Sequence, residues 1–181
     1  MSGGAVRTVV LDASVVINLI HAGRLDLLGK IAGYEFVVPE QVIALEVTYP
    51  DQARALSAAL EAGWVRHVES TDTVEMALYG ELSAVMGKGE AACLAMAARR
   101  EWLVACDEGG RFLREARQHL GNDRLLNTPG ILLLAIRRGL LSVEEADGIN
   151  NMLAQRRYVM PFASFRDLLS LIIARDAGEL V

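Results

Sequence analysis

Cysteine, proline and aromatic residues are scarce in this 181-residue chain, which has two cysteines, four prolines and 6% aromatic residues. Cys93 and Cys106 each lie in an apolar segment, at a spacing that fits no zinc motif, so we expect reduced thiols that pack as small hydrophobic groups. The longest purely aliphatic run, Ile131 to Ile136, is too short to span a bilayer. These absences argue against a disulfide framework, a zinc site and a membrane protein.

The chain also lacks a secretory signal and an excess of positive charge. Its start, Met1-Ser2-Gly3-Gly4, does not have the charged-then-apolar order of a signal, so we expect a soluble, cytoplasmic protein. Eighteen basic and 23 acidic residues give a net charge of −5, unlike the basic surface typical of nucleic-acid-binding domains. The hydrophobic fraction of 52% is enough for one compact core.

Short apolar runs alternate with helix-length segments along most of the chain. The predicted strands are residues 6–11, 35–38, 64–68, 103–106 and 124–127. The predicted helices are residues 15–28, 40–47, 51–62, 73–85, 90–100, 111–120 and 129–138. This alternation predicts an α/β fold with three layers, in which a parallel sheet lies between two layers of helices.

The end of the chain departs from this alternation. Thr128-Pro129 predicts a helix start, with the threonine hydroxyl as its cap. From Ser142 onward the sequence predicts helices only. We therefore expect an α/β domain over residues 1–141 and a helical extension over residues 142–181 that packs on the same domain.

Four carboxylates occupy places that packing would normally give to apolar residues. Asp12 and Asp107 each follow a buried apolar run, so both should emerge at the carboxyl edge of the sheet, where open α/β sheets bind ligands. Glu46 shares a helix face with apolar Val42, and Glu90 begins a helix whose inward face it shares. Taken singly, each acid has a structural explanation as a cap, a turn residue or a partner of the helix dipole.

Taken together, the four acids predict a divalent metal site. Carboxylates about 4 Å apart repel one another by roughly 1 kcal/mol per pair in water and roughly 4 kcal/mol near a protein surface, and a cation removes this penalty. Ligands that are all oxygen suit Mg²⁺ or Mn²⁺. With a phosphodiester bound, such a site favours hydrolysis.

Several motifs, in this order, resemble those of PIN-domain nucleases. Residues 9–18, VVLDASVVIN, resemble the opening signature, and residues 37–47 resemble the second motif. Residues 87–97 are similar to the third motif in the branch that has glutamate there, the VapC-like toxin branch. Residues 103–107 resemble the fourth motif, and residues 127–139 its continuation.

This resemblance implies a five-stranded parallel sheet and a Mg²⁺- or Mn²⁺-dependent site that cuts single-stranded RNA. It also implies a toxin restrained by a small antitoxin protein, and a homodimer. Carried over by position, the catalytic and metal-binding acids are Asp12, Glu46, Glu90 and Asp107. The supporting residues are Ser14 and Asn18 beside Asp12, and Glu108 as a substitute or extra ligand. Lys88 and Arg111 are the candidates for contact with substrate phosphate.

Two other interpretations remain open at this point. A catalytically silent PIN-like interaction module would keep the acids as a structural ion site, so metal would stabilise the fold without any cleavage. A phosphatase of another doubly wound family is disfavoured, because Asp12-Ala13-Ser14 lacks a second aspartate two positions after the first.

Overall fold

A computed structural model of the chain describes residues 5–176. This part of the chain forms two compact units, which divide between Thr128 and Pro129. No helix within residues 5–176 is long and apolar enough to cross a membrane. Both cysteines are buried free thiols, as the sequence predicted.

The first unit is built on a five-stranded sheet in which all strand pairs are parallel. Its strands are β1 (Arg7–Leu11), β2 (Tyr34–Pro39), β3 (Arg66–Val68), β4 (Leu103–Ala105) and β5 (Leu125–Leu126). The spatial order is β3-β2-β1-β4-β5, so β1 is central and its last three residues are fully buried. The order reverses direction between β1 and β4, which makes the carboxyl ends of these two strands the switch point of the sheet.

Helices connect successive strands of the sheet. They are α1 (Ala13–His21), α2 (Glu40–Leu45), α3 (Pro50–Glu61), α4 (Thr73–Ser83), α5 (Lys88–Arg100) and α6 (Gly110–Leu120), with a short 3₁₀ helix at Leu25–Gly29. α1, α3 and the 3₁₀ helix contact one another, whereas α5 contacts both α4 and α6. Because crossovers between parallel strands are right-handed, the two groups lie on opposite faces of the sheet. The predicted three-layer α/β architecture is confirmed.

One predicted helix, residues 15–28, is wrong in its extent. α1 ends at His21, because Gly23 adopts the left-handed conformation with a φ of 64°. The Gly23 N–H then donates to Ile20 O and the Arg24 N–H to Leu19 O, which is the Schellman arrangement that closes a helix. The glycine itself was the signal for this break.

The second unit is helical. Its helices are α7 (Thr128–Arg137), whose first residue belongs to the first unit, α8 (Val143–Gln155) and α9 (Phe165–Asp176). Ser142 and Glu145 form a capping box at the start of α8, and Asp147 Oδ1 accepts a hydrogen bond of 2.6 Å from the Phe165 N–H. The expected packing of residues 142–181 on the α/β domain stays a prediction, and residues 177–181 lie outside the described part of the chain.

Candidate metal centre

A cavity opens beside the carboxyl end of β1, at the switch point of the sheet. Three of the four acids predicted from the sequence line it, and a further acid, Glu108, joins them. The polar side chains that line it are those of Asp12, Ser14, Glu46, Glu90 and Glu108, and Gly87 also lines it. Carboxylates from distant parts of the sequence therefore lie in one cavity. Their mutual repulsion must be offset by another interaction.

Asp12 is the most buried acid of the cavity, with 3% of its surface exposed. It caps the start of α1, and its Oδ2 accepts hydrogen bonds from the Ser14 N–H at 3.2 Å and the Ser14 hydroxyl at 2.7 Å. Its other oxygen, Oδ1, is buried and has no hydrogen-bond partner within the described residues. An unsatisfied buried acceptor costs about 1–3 kcal/mol, and more when it is charged. A cation would satisfy this oxygen.

Two backbone N–H groups at the start of α5 bind the carboxylates of Glu46 and Glu90. Glu46 lies just after α2, and its Oε1 accepts a hydrogen bond of 2.9 Å from the Gly89 N–H. Glu90 Oε2 accepts a hydrogen bond of 3.0 Å from the Gly87 N–H. A Cβ atom on Gly89 would lie only 2.5 Å from Glu46 Cδ, so the close approach requires glycine.

The pKa directions of the two glutamates report crowding of negative charge. Burial raises the pKa of Glu46, and the charges of Asp12, Glu90 and Glu108 raise it further, against a lowering by the Gly89 N–H. Burial likewise raises the pKa of Glu90, aided by the charges of Asp12 and Glu108 and opposed by the Gly87 N–H. The sequence predicted that the helix dipole would favour charged Glu90, but burial and repulsion outweigh the local hydrogen bond.

Asp107, the fourth predicted acid, is not among the residues that line this cavity. Its Oδ1 accepts a hydrogen bond of 2.8 Å from the Thr128 N–H, and its Oδ2 accepts from the Asn18 amide at 2.9 Å and from the Thr128 hydroxyl. The Thr128 hydroxyl, predicted as a helix cap, is thus a donor to Asp107. Both carboxylate oxygens of Asp107 are engaged with protein groups.

The remaining predicted residues divide between these two acids. Ser14 contacts both: its hydroxyl donates to Asp12 and accepts from the Asp107 N–H at 3.1 Å. Asn18 donates to Asp107 and Thr128, although the sequence placed it beside Asp12. Lys88 is the exposed first residue of α5, and the Arg111 guanidinium donates to the Val85 carbonyl at 2.6 Å.

Comparison with known families agrees with this arrangement. The DUF3368 family, described as a PIN domain, matches residues 8–171 of the chain. The chain belongs to this PIN-domain family. PIN domains are typically nucleases and generally use divalent metals, so the family match supports a nuclease fold with a divalent-metal centre.

Two further comparisons add little to the family match. No curated protein sequence matches this PIN domain. Among solved structures, a match is the crystal structure of PAE2754 from Pyrobaculum aerophilum, with 15% sequence identity and a TM-score of 0.46. The similarity covers 75% of this chain and 94% of that one.

The donor set of the PIN-domain cavity suits a hard divalent cation, because it consists of carboxylate oxygens and includes Asp12 Oδ1, which has no hydrogen-bond partner among residues 5–176. Within residues 5–176, the one group of three potential ligands whose atoms all lie within 4.8 Å of one another is elsewhere, at Glu40, His67 and Glu69. These three side chains are exposed, and His67 already pairs with Glu40 at 2.8 Å. The described cavity acids do not form such a group, so a Mg²⁺ ion bound there would keep several of its waters.

The sequence did not identify the glycines as part of the site. Residues 87–97 were matched to the third motif without a role for the N–H groups of Gly87 and Gly89. The spacing of the two glycines around the start of α5, directly before Glu90, was the available signal, because glycine is needed where backbone approaches a side chain closely.

Proposed function

We propose that this PIN domain is a metal-dependent endoribonuclease that hydrolyses phosphodiester bonds of single-stranded RNA. The observation that carries the proposal is the buried Oδ1 of Asp12, which lacks a hydrogen-bond partner in the described part of the chain and lies in a cavity lined by three glutamates. Mg²⁺ or Mn²⁺ bound to these acids would supply Lewis-acid activation of water and stabilisation of the leaving oxygen.

The protein's own contribution is to hold the acids in place before the ion and the RNA arrive. Ser14 binds Oδ2 of Asp12 through two hydrogen bonds, which leaves Oδ1 as the oxygen available to the ion. The N–H groups of Gly89 and Gly87 fix one oxygen each of Glu46 and Glu90. Groups that are fixed in advance lose little entropy on binding, so the ion meets a site that is already oriented.

The RNA backbone is negatively charged, so the acids would repel it without a cation. We assign phosphate contacts outside the cavity to Lys88, which is exposed at the start of α5, and to Arg111. Arg111 already anchors the Val85 carbonyl with one N–H, and a guanidinium has five N–H donors, so others remain for phosphate. Such contacts would position RNA without reading its sequence.

The cellular role belongs to the same proposal. The similarity of the third motif to the VapC-like branch supports a toxin of a toxin–antitoxin module, which would be restrained by a small antitoxin protein. The same resemblance supports a homodimer. A small protein that abolishes cleavage when it is added to the purified chain would support the toxin role.

The test is cleavage of a mixed-sequence, end-labelled single-stranded RNA by the full chain with Mn²⁺, with EDTA, and with Asp12→Asn. Asn has nearly the shape of Asp and also caps helices well, so this variant removes ligand charge with the fold kept. Asp51→Asn, at an exposed position in the first turn of α3, is the matched control. We expect cleavage by the wild type and Asp51→Asn, and none by Asp12→Asn or with EDTA.

Equal cleavage by Asp12→Asn and the wild type would refute the assignment of the site. A third outcome is also informative: if Mn²⁺ raises the melting temperature of the wild type but no RNA is cut, the silent interaction module is favoured over the nuclease.

A further inference from the structure

Two acids follow β4 in direct succession, and their side chains have different surroundings. Asp107 accepts three hydrogen bonds, two from Thr128 and one from Asn18. Glu108 is exposed and lines the cavity that contains Asp12 and the two other glutamates. Neighbouring residues of one motif therefore face different parts of the protein.

Backbone hydrogen bonds hold both acids in place as the chain leaves β4. The Asp107 N–H donates to the Ser14 hydroxyl at 3.1 Å, and the Glu108 N–H donates to Cys106 Sγ at 3.4 Å. With the backbone held in this way, the Asp107 side chain contacts Thr128 and Asn18, whereas Glu108 lines the cavity.

The lining of the cavity gives the geometric basis for a role of Glu108. Glu108 lines the same cavity as Asp12, Glu46 and Glu90, whereas Asp107 does not line it. A cation bound among the cavity acids would therefore also neutralise the charge of Glu108.

We propose that Glu108, rather than Asp107, supplies the fourth carboxylate that faces the divalent ion, and that Asp107 instead stabilises the fold by binding Thr128 and Asn18. This inference rests on the proposed metal-dependent function. It predicts that substitution of Glu108 lowers metal affinity without lowering stability. Substitution of Asp107 should lower stability and leave metal affinity nearly unchanged.

The two conservative variants separate these roles. Glu108→Gln keeps the side-chain shape and removes one ligand charge, so Mn²⁺ affinity should fall by about 10-fold or more, while the melting temperature without metal stays unchanged or rises as repulsion is relieved. Asp107→Asn weakens charge-assisted hydrogen bonds, so the melting temperature without metal should fall by about 5 °C. Its Mn²⁺ affinity should stay within about threefold of wild type, since no ion ligand is lost.

The experiment measures Mn²⁺ binding to the full chain by electron paramagnetic resonance of the free ion, and thermal unfolding in EDTA. Asp12→Asn serves as the variant expected to lose binding, and Glu81→Gln, on the exposed side of α4, is the matched control for charge removal. Weakened binding in Glu108→Gln with normal binding in Asp107→Asn supports the inference.

Two results would overturn it: wild-type affinity in Glu108→Gln, or lost binding in Asp107→Asn with an unchanged melting temperature. If Asp107→Asn does not fold, Glu108→Gln still decides the assignment. Failure of the underlying function is distinguishable, because then the wild type would bind no Mn²⁺ or Asp12→Asn would bind it normally. When Asp12→Asn loses binding and Glu108→Gln does not, only the assignment of Glu108 fails.

Discussion

Replacement of Gly89 by alanine should keep the fold and damage the site. Gly89 is buried in the first turn of α5, where alanine is a better helix former by about 1 kcal/mol. The added Cβ would lie 2.5 Å from Glu46 Cδ and 2.6 Å from Glu46 Oε1. Glu46 must therefore retreat by about 1 Å to reach the ordinary contact distance of 3.4 Å, and its hydrogen bond of 2.9 Å to the Gly89 N–H is lost.

The magnitudes indicate a selective effect. The lost charge-assisted hydrogen bond costs about 1.5–3 kcal/mol, and the gain in helix propensity of about 1 kcal/mol offsets part of it, so the melting temperature should fall by only a few degrees. Displacement of a catalytic group by about 1 Å can cost 100-fold in rate. We expect Mn²⁺-dependent RNA cleavage by Gly89→Ala to fall by about 10- to 100-fold.

Two further variants make the result specific. Gly80→Ala, in α4, adds a Cβ with nothing within 4 Å, so it should cleave RNA as the wild type does. The double variant Gly89→Ala/Glu46→Asp shortens the displaced side chain by one methylene group and should recover part of the lost activity. Full activity in Gly89→Ala would refute the reasoning, because cleavage would then not require Glu46 to be in the position in which the Gly89 N–H holds it.

Two further predictions concern stability. Arg100→Met removes both hydrogen bonds from Arg100 to the carboxylate of Glu75, which is 1% exposed, so it should destabilise the protein by about 3–5 kcal/mol in urea unfolding; an unchanged midpoint would contradict this. Burial raises the pKa of Asp26, but hydrogen bonds from Lys30 and Arg24 outweigh it and hold the pKa below 3.8. A lowered folded pKa means that this stabilisation is complete above 3.8 and is lost as the pH falls through the folded value. In thermal melts at pH values that fall from 3.8, Asp26→Asn should therefore lose less stability than the wild type. An identical pH dependence of the two melting temperatures would refute the role of Asp26.

The sheet could be predicted from the sequence because its signal is local. Residues 9–11 and 103–105 are runs of apolar residues, as expected of strands buried on both faces, and they are fully buried or nearly so. Asp12, directly after the first run, was correctly expected at the carboxyl edge. The extent of the first helix was predicted wrongly. The apolar periodicity continues past Gly23, whereas the helical backbone ends before this glycine.

The details of the candidate site depend on tertiary partners, which sequence patterns do not reveal. Whether Asp107 or Glu108 faces the cavity is decided by Asn18, 89 residues away from Asp107, and by Thr128, 21 residues away. The role of Gly89 depends on Glu46, which is 43 residues away. Adjacent acids and a glycine-rich turn have many structural uses, so the sequence alone could nominate these residues but could not assign their contacts.

The most direct test of the metal site is an anomalous difference map from crystals of the full chain grown with Mn²⁺. We predict a peak bounded by Asp12, Glu46 and Glu90, with the Asp12 Oδ1 atom among the ligands. A peak confined to the exposed group of Glu40, His67 and Glu69, with no Mn²⁺ at Asp12, would contradict the metal centre on which the proposed function depends.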